Sequence, residues 1–160
     1  MTDFDILPSR YLAPAAQTLV AAAMTDLAQR YGGSGDSAPL DPMQFDPPVG
    51  GFFIAWRNHA PVGCVGWRSH GDAGDVAELK RMYVMPASRG TGVAAGLIRI
   101  VEESAVQFGR ARMILECGNR QPEAIALYEK MGYERIPDFG YYRGEPGVLS
   151  YGRDLQPAPA

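Results

Sequence analysis

The chain has 160 residues, 46% of them hydrophobic and 21% charged, with a formal net charge of −3. That size suits one ordinary domain with its own core, and the acidic balance lacks the basic footprint by which proteins track nucleic acid or anionic membranes. No apolar run nears the roughly 20 residues needed to cross a bilayer, and the opening residues 1–10 are too acidic for a secretion signal, so the expected setting is the cytoplasm, with no membrane and no nucleic acid among the partners.

A short strand is expected at residues 4–7, and then Leu12, Ala16, Leu19, Ala23, Leu27 and Tyr31 recur at spacings of three and four, one face of an amphipathic helix. From Gly32 to Gly50 the chain is rich in Gly, Pro, Ser and Asp, which break both periods and predict a long loop of the kind that covers a site. Phe52 to Trp56 and Pro61 to Trp67 read as a hairpin, and Glu78 to Val84 as a third strand ended by Pro86. Arg89-Gly90-Thr91-Gly92 opens a helix whose apolar positions run from Val93 to Phe108, with Gly109 as its cap. Met113 to Cys117 is the next strand, Pro122 starts a helix that Gly132 ends, and Tyr133 to Ile136 and Val148 to Arg153 are the last strands. This order predicts an α/β (α+β) fold, a mixed central sheet of about six to seven strands with helices on both faces. Residues 1–155 are expected to form a single domain and 156–160 a disordered tail.

Cys64 and Cys117 each sit in an apolar run without a CxxC or a histidine cluster, which predicts buried, reduced thiols rather than nucleophiles. His59 and His70 fall in turn-like sequence, and no ligand series suggests a metal.

The glycines at 90 and 92 stand where a strand passes into a helix, so bare N–H groups can face outward at the helix's positive end, a nest for phosphate. A Walker loop is excluded, since nothing matches GxxxxGK followed by Ser or Thr. Gly90, Gly92 and Gly96 give GxGxxxG, with Glu116 on a later strand, but Lys80 and Arg81 in the preceding strand and the stretch from Met85 to Arg89 argue against a dinucleotide turn.

The segment ELKRMYVMPASRGTGVAAGLI, followed by a strand and then PEAIALYEKMGYERI, resembles the acyl-CoA-binding half of the Gcn5-related N-acetyltransferase (GNAT) superfamily over Glu78 to Ile136. The resemblance implies that the backbone of Met82, Tyr83 and Val84 pairs with the pantetheine arm of acetyl-CoA, the acyl donor. It also implies that Arg89, Gly90, Thr91, Gly92, Val93 and Ala94 cradle the pyrophosphate. Gln121 stands where many members have Asn and keeps an amide for the cofactor; Ala95 stands where many have a basic residue, which leaves Arg120 and Lys130 as candidates for that contact.

The implied reaction is direct, sequential transfer of acetyl to the amine of a small molecule, with a peptide amine as a further acceptor. An amine of pKa near 10 is only about 0.1% neutral at pH 7, so a base helps. By resemblance that base is Glu78, with Glu116 as its rival; Tyr128, in the LYEKMGY match, is the implied acid for the departing thiolate, and a backbone N–H near Val84 the implied oxyanion donor. The other class of function is a CoA-binding sensor that has lost transfer. Asp41, Phe45, Asp46, Tyr141 and Tyr142 are candidate acceptor-lining residues, the overall acidity favours a cationic amine, and a homodimer is a family-level expectation.

Overall fold

The computed structural model describes residues 3–156, so the expected tail lies, beyond Gln156, outside the described residues. Strands β1 (Asp5–Pro8), β2 (Gly50–Arg57), β3 (Ala60–Ser69), β4 (Val76–Val84), β5 (Arg112–Gly118), β6 (Glu134–Arg135) and β7 (Val148–Asp154) form one sheet in the order β1-β2-β3-β4-β5-β7-β6. Only β4 and β5 run parallel, joined by helix α2 (Val93–Gln107); every other pairing is antiparallel. Helices α1 (Pro14–Tyr31) and α3 (Pro122–Lys130) complete the mixed sheet flanked by helices that the residue pattern predicts.

Strand alternation sorts the apolar residues onto two faces. Phe52, Ile54 and Cys64 face α1 and pack with Ala16, Leu19, Val20, Tyr11 and Phe45. Val65, Trp67, Met113 and Leu115 face the other way, onto Leu97, Ile98 and Val101 of α2 and Tyr128 of α3. The Trp67 indole is fully buried and donates to Ser104 Oγ at 2.9 Å, so its one polar atom is satisfied.

Some boundaries differ from the expectation. Leu12, counted on the first helix face, is 62% exposed, because the helix begins only at Pro14, where a residue without an N–H suits the first turn. The loop from residue 32 carries a 3-10 turn at Pro42–Phe45, which drives the Phe45 ring under β2 and β3. Its side chain fills the space over Gly66, where an added Cβ would lie 2.8 Å from both the Phe45 and Phe52 rings. Gly66→Ala is therefore expected to lower stability by about 1–3 kcal/mol through overpacking, read as a lower urea midpoint with an unchanged m-value. Among the described residues no helix is long and apolar enough to cross a membrane.

Candidate functional site

The parallel ladder between β4 and β5 stops at Glu78↔Ile114, although β4 continues to Val84 and β5 to Gly118. From Leu79 onward, the side of β4 that looks toward β5 has no strand partner, while its other side stays paired with β3. An unpaired strand edge inside a protein is a row of donors and acceptors that must find partners elsewhere. Here it lines a cleft of about 810 Å³ bounded by Lys80, Arg81, Met82 and Tyr83 of β4, Glu116 and Cys117 of β5, the second half of α1, Gln121, Tyr128 and the loop before β7. A bulge sharpens the splay: Cys64 pairs with Tyr83 but Gly66 with Lys80, which leaves one extra residue on β4, with Arg81 at φ 59.

At one end of this edge lies the glycine turn. Gly90 and Gly92 have φ values of 75 and 91 and would carry a Cβ into open space, so backbone conformation rather than crowding demands glycine there. Gly92 caps α2, and the Gly96 N–H bonds back to Gly92 O at 3.0 Å, so that the N–H groups of Val93 to Ala95, at the helix's positive end, have no main-chain acceptor among the described residues. Arg89 stands beside them: its Nε donates to Val84 O at 3.0 Å and its guanidinium lies over the Tyr83 ring, 5.8 Å from the centroid.

Sequence reasoning missed the residue that holds this turn. Arg57, at the end of β2, donates to Ser88 Oγ at 2.9 Å, to Thr91 Oγ1 at 3.1 Å and to Asp3 Oδ1 at 2.9 Å. Its contacts come from two distant parts of the chain, Asp3 and the turn at 88–91, which no local pattern reveals. Arg120, a candidate for the missing basic contact, is engaged otherwise, donating to Arg30 O and lying over the Tyr31 ring.

Tyr128 reaches the cleft from α3, 5% exposed. Its ring stacks edgewise on Tyr133, and its hydroxyl has no hydrogen-bond partner among the described residues. Burial, with Cys117 alongside, pushes the Tyr128 phenol well above its usual range, so it keeps its proton. Tyr133 is itself fixed by donating to Glu102 Oε2 at 2.7 Å, and Glu102 is bridged to Arg153 at 3.0 Å. Burial likewise pushes the Cys117 thiol up to about 11.

The two carboxylates differ in setting. Glu78 is buried and receives Arg68 Nε at 3.0 Å, both side chains being largely out of solvent, and it is not part of the cleft wall. Glu116 is on that wall: burial raises its carboxyl, the nearby Glu78 charge adds to this, and the Tyr142 N–H and Lys80 pull the other way. Tyr141 and Tyr142 also line the cleft, whereas Phe45 is core and Asp41 caps the turn at 42–45. Asp46 pairs with Arg10 beside a second cavity of about 570 Å³ between β1, β2 and the end of α2. His70 stacks on Phe139 and His59 sits at φ 65 in the β2–β3 turn, both away from the cleft.

A charged cluster that the residue pattern did not flag lies on the cleft wall where the loop after α1 meets β4. Asp36 Oδ2 receives Lys80 Nζ at 3.0 Å and Arg81 Nη1, and its Oδ1 receives the Tyr142 hydroxyl at 2.6 Å and the Ala38 N–H at 3.0 Å. Burial alone would raise the Asp36 carboxyl, but the Lys80 charge, the Tyr142 hydroxyl and the Ala38 N–H outweigh it and hold it well below the usual range. A depressed carboxyl contributes stability that is present above its unfolded pKa of about 3.9 and lost as the pH falls below it. The urea midpoint is thus expected to drop below pH 4, and Asp36→Asn to flatten that dependence while lowering the midpoint at pH 7.

Residues 20–133 match the family model described as Acetyltransferase (GNAT) family. Over 95 residues the chain is 36% identical to an IAA acetyltransferase of Azospirillum brasilense, an alignment that covers 59% of this chain and 61% of that protein, so the chain spans less than two thirds of that curated relative. A solved structure of an acyl-CoA N-acyltransferase-like protein from Klebsiella pneumoniae subsp. pneumoniae superposes with a TM-score of 0.80 at 26% identity, covering 96% of this chain and 98% of that one. A GNAT family acetyltransferase from Elizabethkingia anophelis, solved with acetyl-CoA bound, shares the fold with a TM-score of 0.69 at 16% identity over 97% of this chain and 100% of the other.

Proposed function

The chain belongs to the GNAT acetyltransferase family, and from that premise we propose that it transfers the acetyl group of acetyl-CoA directly to an amine bound on the α1 side of the cleft. The observation that carries this reading is the free β4 edge, which runs from the glycine turn past the unpartnered Tyr128 hydroxyl. An extended arm with amide groups can add to such an edge as a strand does, and the bare N–H groups of Val93 to Ala95 with Arg89 suit its pyrophosphate. Met82, Tyr83 and Val84 hold the arm, Gly90, Thr91 and Gly92 shape the phosphate nest, and Gln121, on the cleft wall, is within the cofactor's half.

The neutral amine attacks the thioester carbonyl carbon, the C–S bond breaks, and the leaving thiolate takes the Tyr128 proton. The amine's surplus proton passes to Glu116, directly or through water, and exchange with solvent restores both groups. A cytoplasmic setting, where acetyl-CoA is available, agrees with this chemistry and with the unpaired Cys64 and Cys117.

Calorimetric titration with acetyl-CoA, and separately with NADH and NADPH, tests the reading, followed by a thiol-release screen over amines. Micromolar binding of acetyl-CoA alone and turnover on an amine are expected; binding with no turnover would mark a sensor, and no binding would sink the proposal. Arg57→Ala is expected to raise the KM for acetyl-CoA about tenfold with little change in kcat, because it loosens the phosphate turn without touching the thioester.

A further inference from the structure

Resting on the acyl-transfer reading, we infer that the acceptor carries a carboxylate beside its amine, the chemistry of a free α-amino acid, with Lys80 and Arg81 receiving the carboxylate and Glu116 the ammonium. Successive residues of a strand point to opposite faces, yet Lys80 and Arg81 both reach Asp36 and both line the cleft. The bulge makes this happen: Arg81 at φ 59 is turned onto the same wall as Lys80. A non-glycine residue in that conformation is strained by about 1 kcal/mol or more, and such strain collects at functional sites.

Along β4, two cations share one hydrogen-bonded anion. The two side chains are only 9% and 7% exposed, and they share one oxygen of one carboxylate. Asp36 has no capacity left, since Tyr142 and Ala38 occupy its other oxygen. The Lys80 ammonium uses one of its three donors, and the Arg81 guanidinium spends its hydrogen bonds on Asp36 and, at 3.4 Å, on the Tyr11 hydroxyl. Two desolvated cations hydrogen-bonded to one carboxylate keep donors free for a further anionic group, and Glu116, which receives the Tyr142 N–H, makes no hydrogen bond to them. Glu78 does not supply that group, being neutralised by Arg68.

Glu116 stands on the opposing strand, near enough that the Lys80 charge acts on its carboxyl. A positive and a negative pole within one cleft match a zwitterion whose amine and carboxylate share a carbon. A diamine would instead bring its second cation against Lys80 and Arg81. The local charge thus points away from the cationic amine that the overall acidity favours.

The test uses the full chain with saturating acetyl-CoA and follows thiol release on L-amino acids, each compared with its amide, its decarboxylated amine and a dipeptide bearing it at the N-terminus. For the best acceptor, the free acid is expected to exceed the other three in kcat/KM by about 100-fold, since buried donors left unpaired discriminate strongly. Equal or better turnover of the amide or the amine overturns the inference while leaving acyl transfer intact, and a preference for the dipeptide overturns it in favour of a peptide acceptor. Should no acceptor release thiol, the acyl-transfer reading falls and the inference with it. Lys80→Gln is expected to raise the KM for the free acid about tenfold more than that for the decarboxylated amine; an equal rise for both refutes the assignment. In the wild-type chain, the N-acetyl amino acid is expected to inhibit as a product and the N-acetyl amine to have no effect; equal inhibition by both refutes the carboxylate site without any variant.

Discussion

Tyr128→Phe is expected to lower kcat by about 10²–10⁴-fold while leaving acetyl-CoA affinity and thermal stability nearly unchanged. The ring fills the core between α3 and Tyr133, and phenylalanine fills it as well; among the described residues the hydroxyl makes no hydrogen bond whose loss would weaken the fold. Burial that keeps the phenol protonated also makes it a weaker acid, and a phenol far above its usual range transfers poorly to a thiolate in water. The thiolate, however, is proposed to form beside the same buried side chain. Cys117 on the cleft wall gauges the effect, its thiol pushed up to about 11. A leaving sulfur there is made more basic by the same desolvation, so donor and acceptor are brought closer to a match. Single-turnover thiol release in the variant tests this, with Tyr133→Phe as the contrast. That variant loses the 2.7 Å bond to Glu102, and with it stability, before it loses the acid. A Tyr128→Phe enzyme with unchanged kcat would remove the assignment.

Features of this site that depend on neighbours in the chain were legible in its residues. The glycine turn, the helix it opens and the position of Tyr128 on α3 follow from local spacing, because turns and helix faces are local objects. The splay was not legible: nothing in Leu79 to Val84 states that β5 will part from it, since both strands read as ordinary apolar runs. Lys80 and Arg81 are visible as two charges within an apolar strand, a pattern that alternation does not explain and that could have signalled a bulge. Their partner Asp36 lies 44 residues from Lys80, in a loop whose Gly- and Ser-rich sequence gives no register, and Tyr142 lies 106 residues from Asp36. Long-range polar clusters of this kind are assembled by the sheet, not by any segment. The same limit separates the two glutamates: each sits on a strand among apolar residues, and only the ladder reveals that Glu78 meets Arg68 while Glu116 faces the cleft.

That separation gives Glu116→Gln and Glu78→Gln opposite expected outcomes. Glu116→Gln removes the cleft carboxylate proposed to take a proton from the amine, or to hold the ammonium before it is lost. It should reduce kcat/KM by about 100-fold at pH 7. Its fold should be as stable as before or slightly more so, since a carboxyl raised by burial is a desolvated charge that glutamine does not carry. The base must be ionised to act, so in the wild-type chain kcat/KM should fall as the pH drops through a value above the ordinary glutamate pKa of about 4.3. The variant should lose that acid limb. Glu78→Gln, by contrast, leaves the half-buried Arg68 guanidinium with Pro39 O and Gln44 Oε1 as acceptors but without its counter-charge, which should destabilise by about 1–3 kcal/mol. Denaturant unfolding of both variants, beside pH profiles of thiol release, separates the two roles. If Glu78→Gln remains folded yet loses turnover while Glu116→Gln keeps it, the base is Glu78 and the cleft carboxylate serves binding alone.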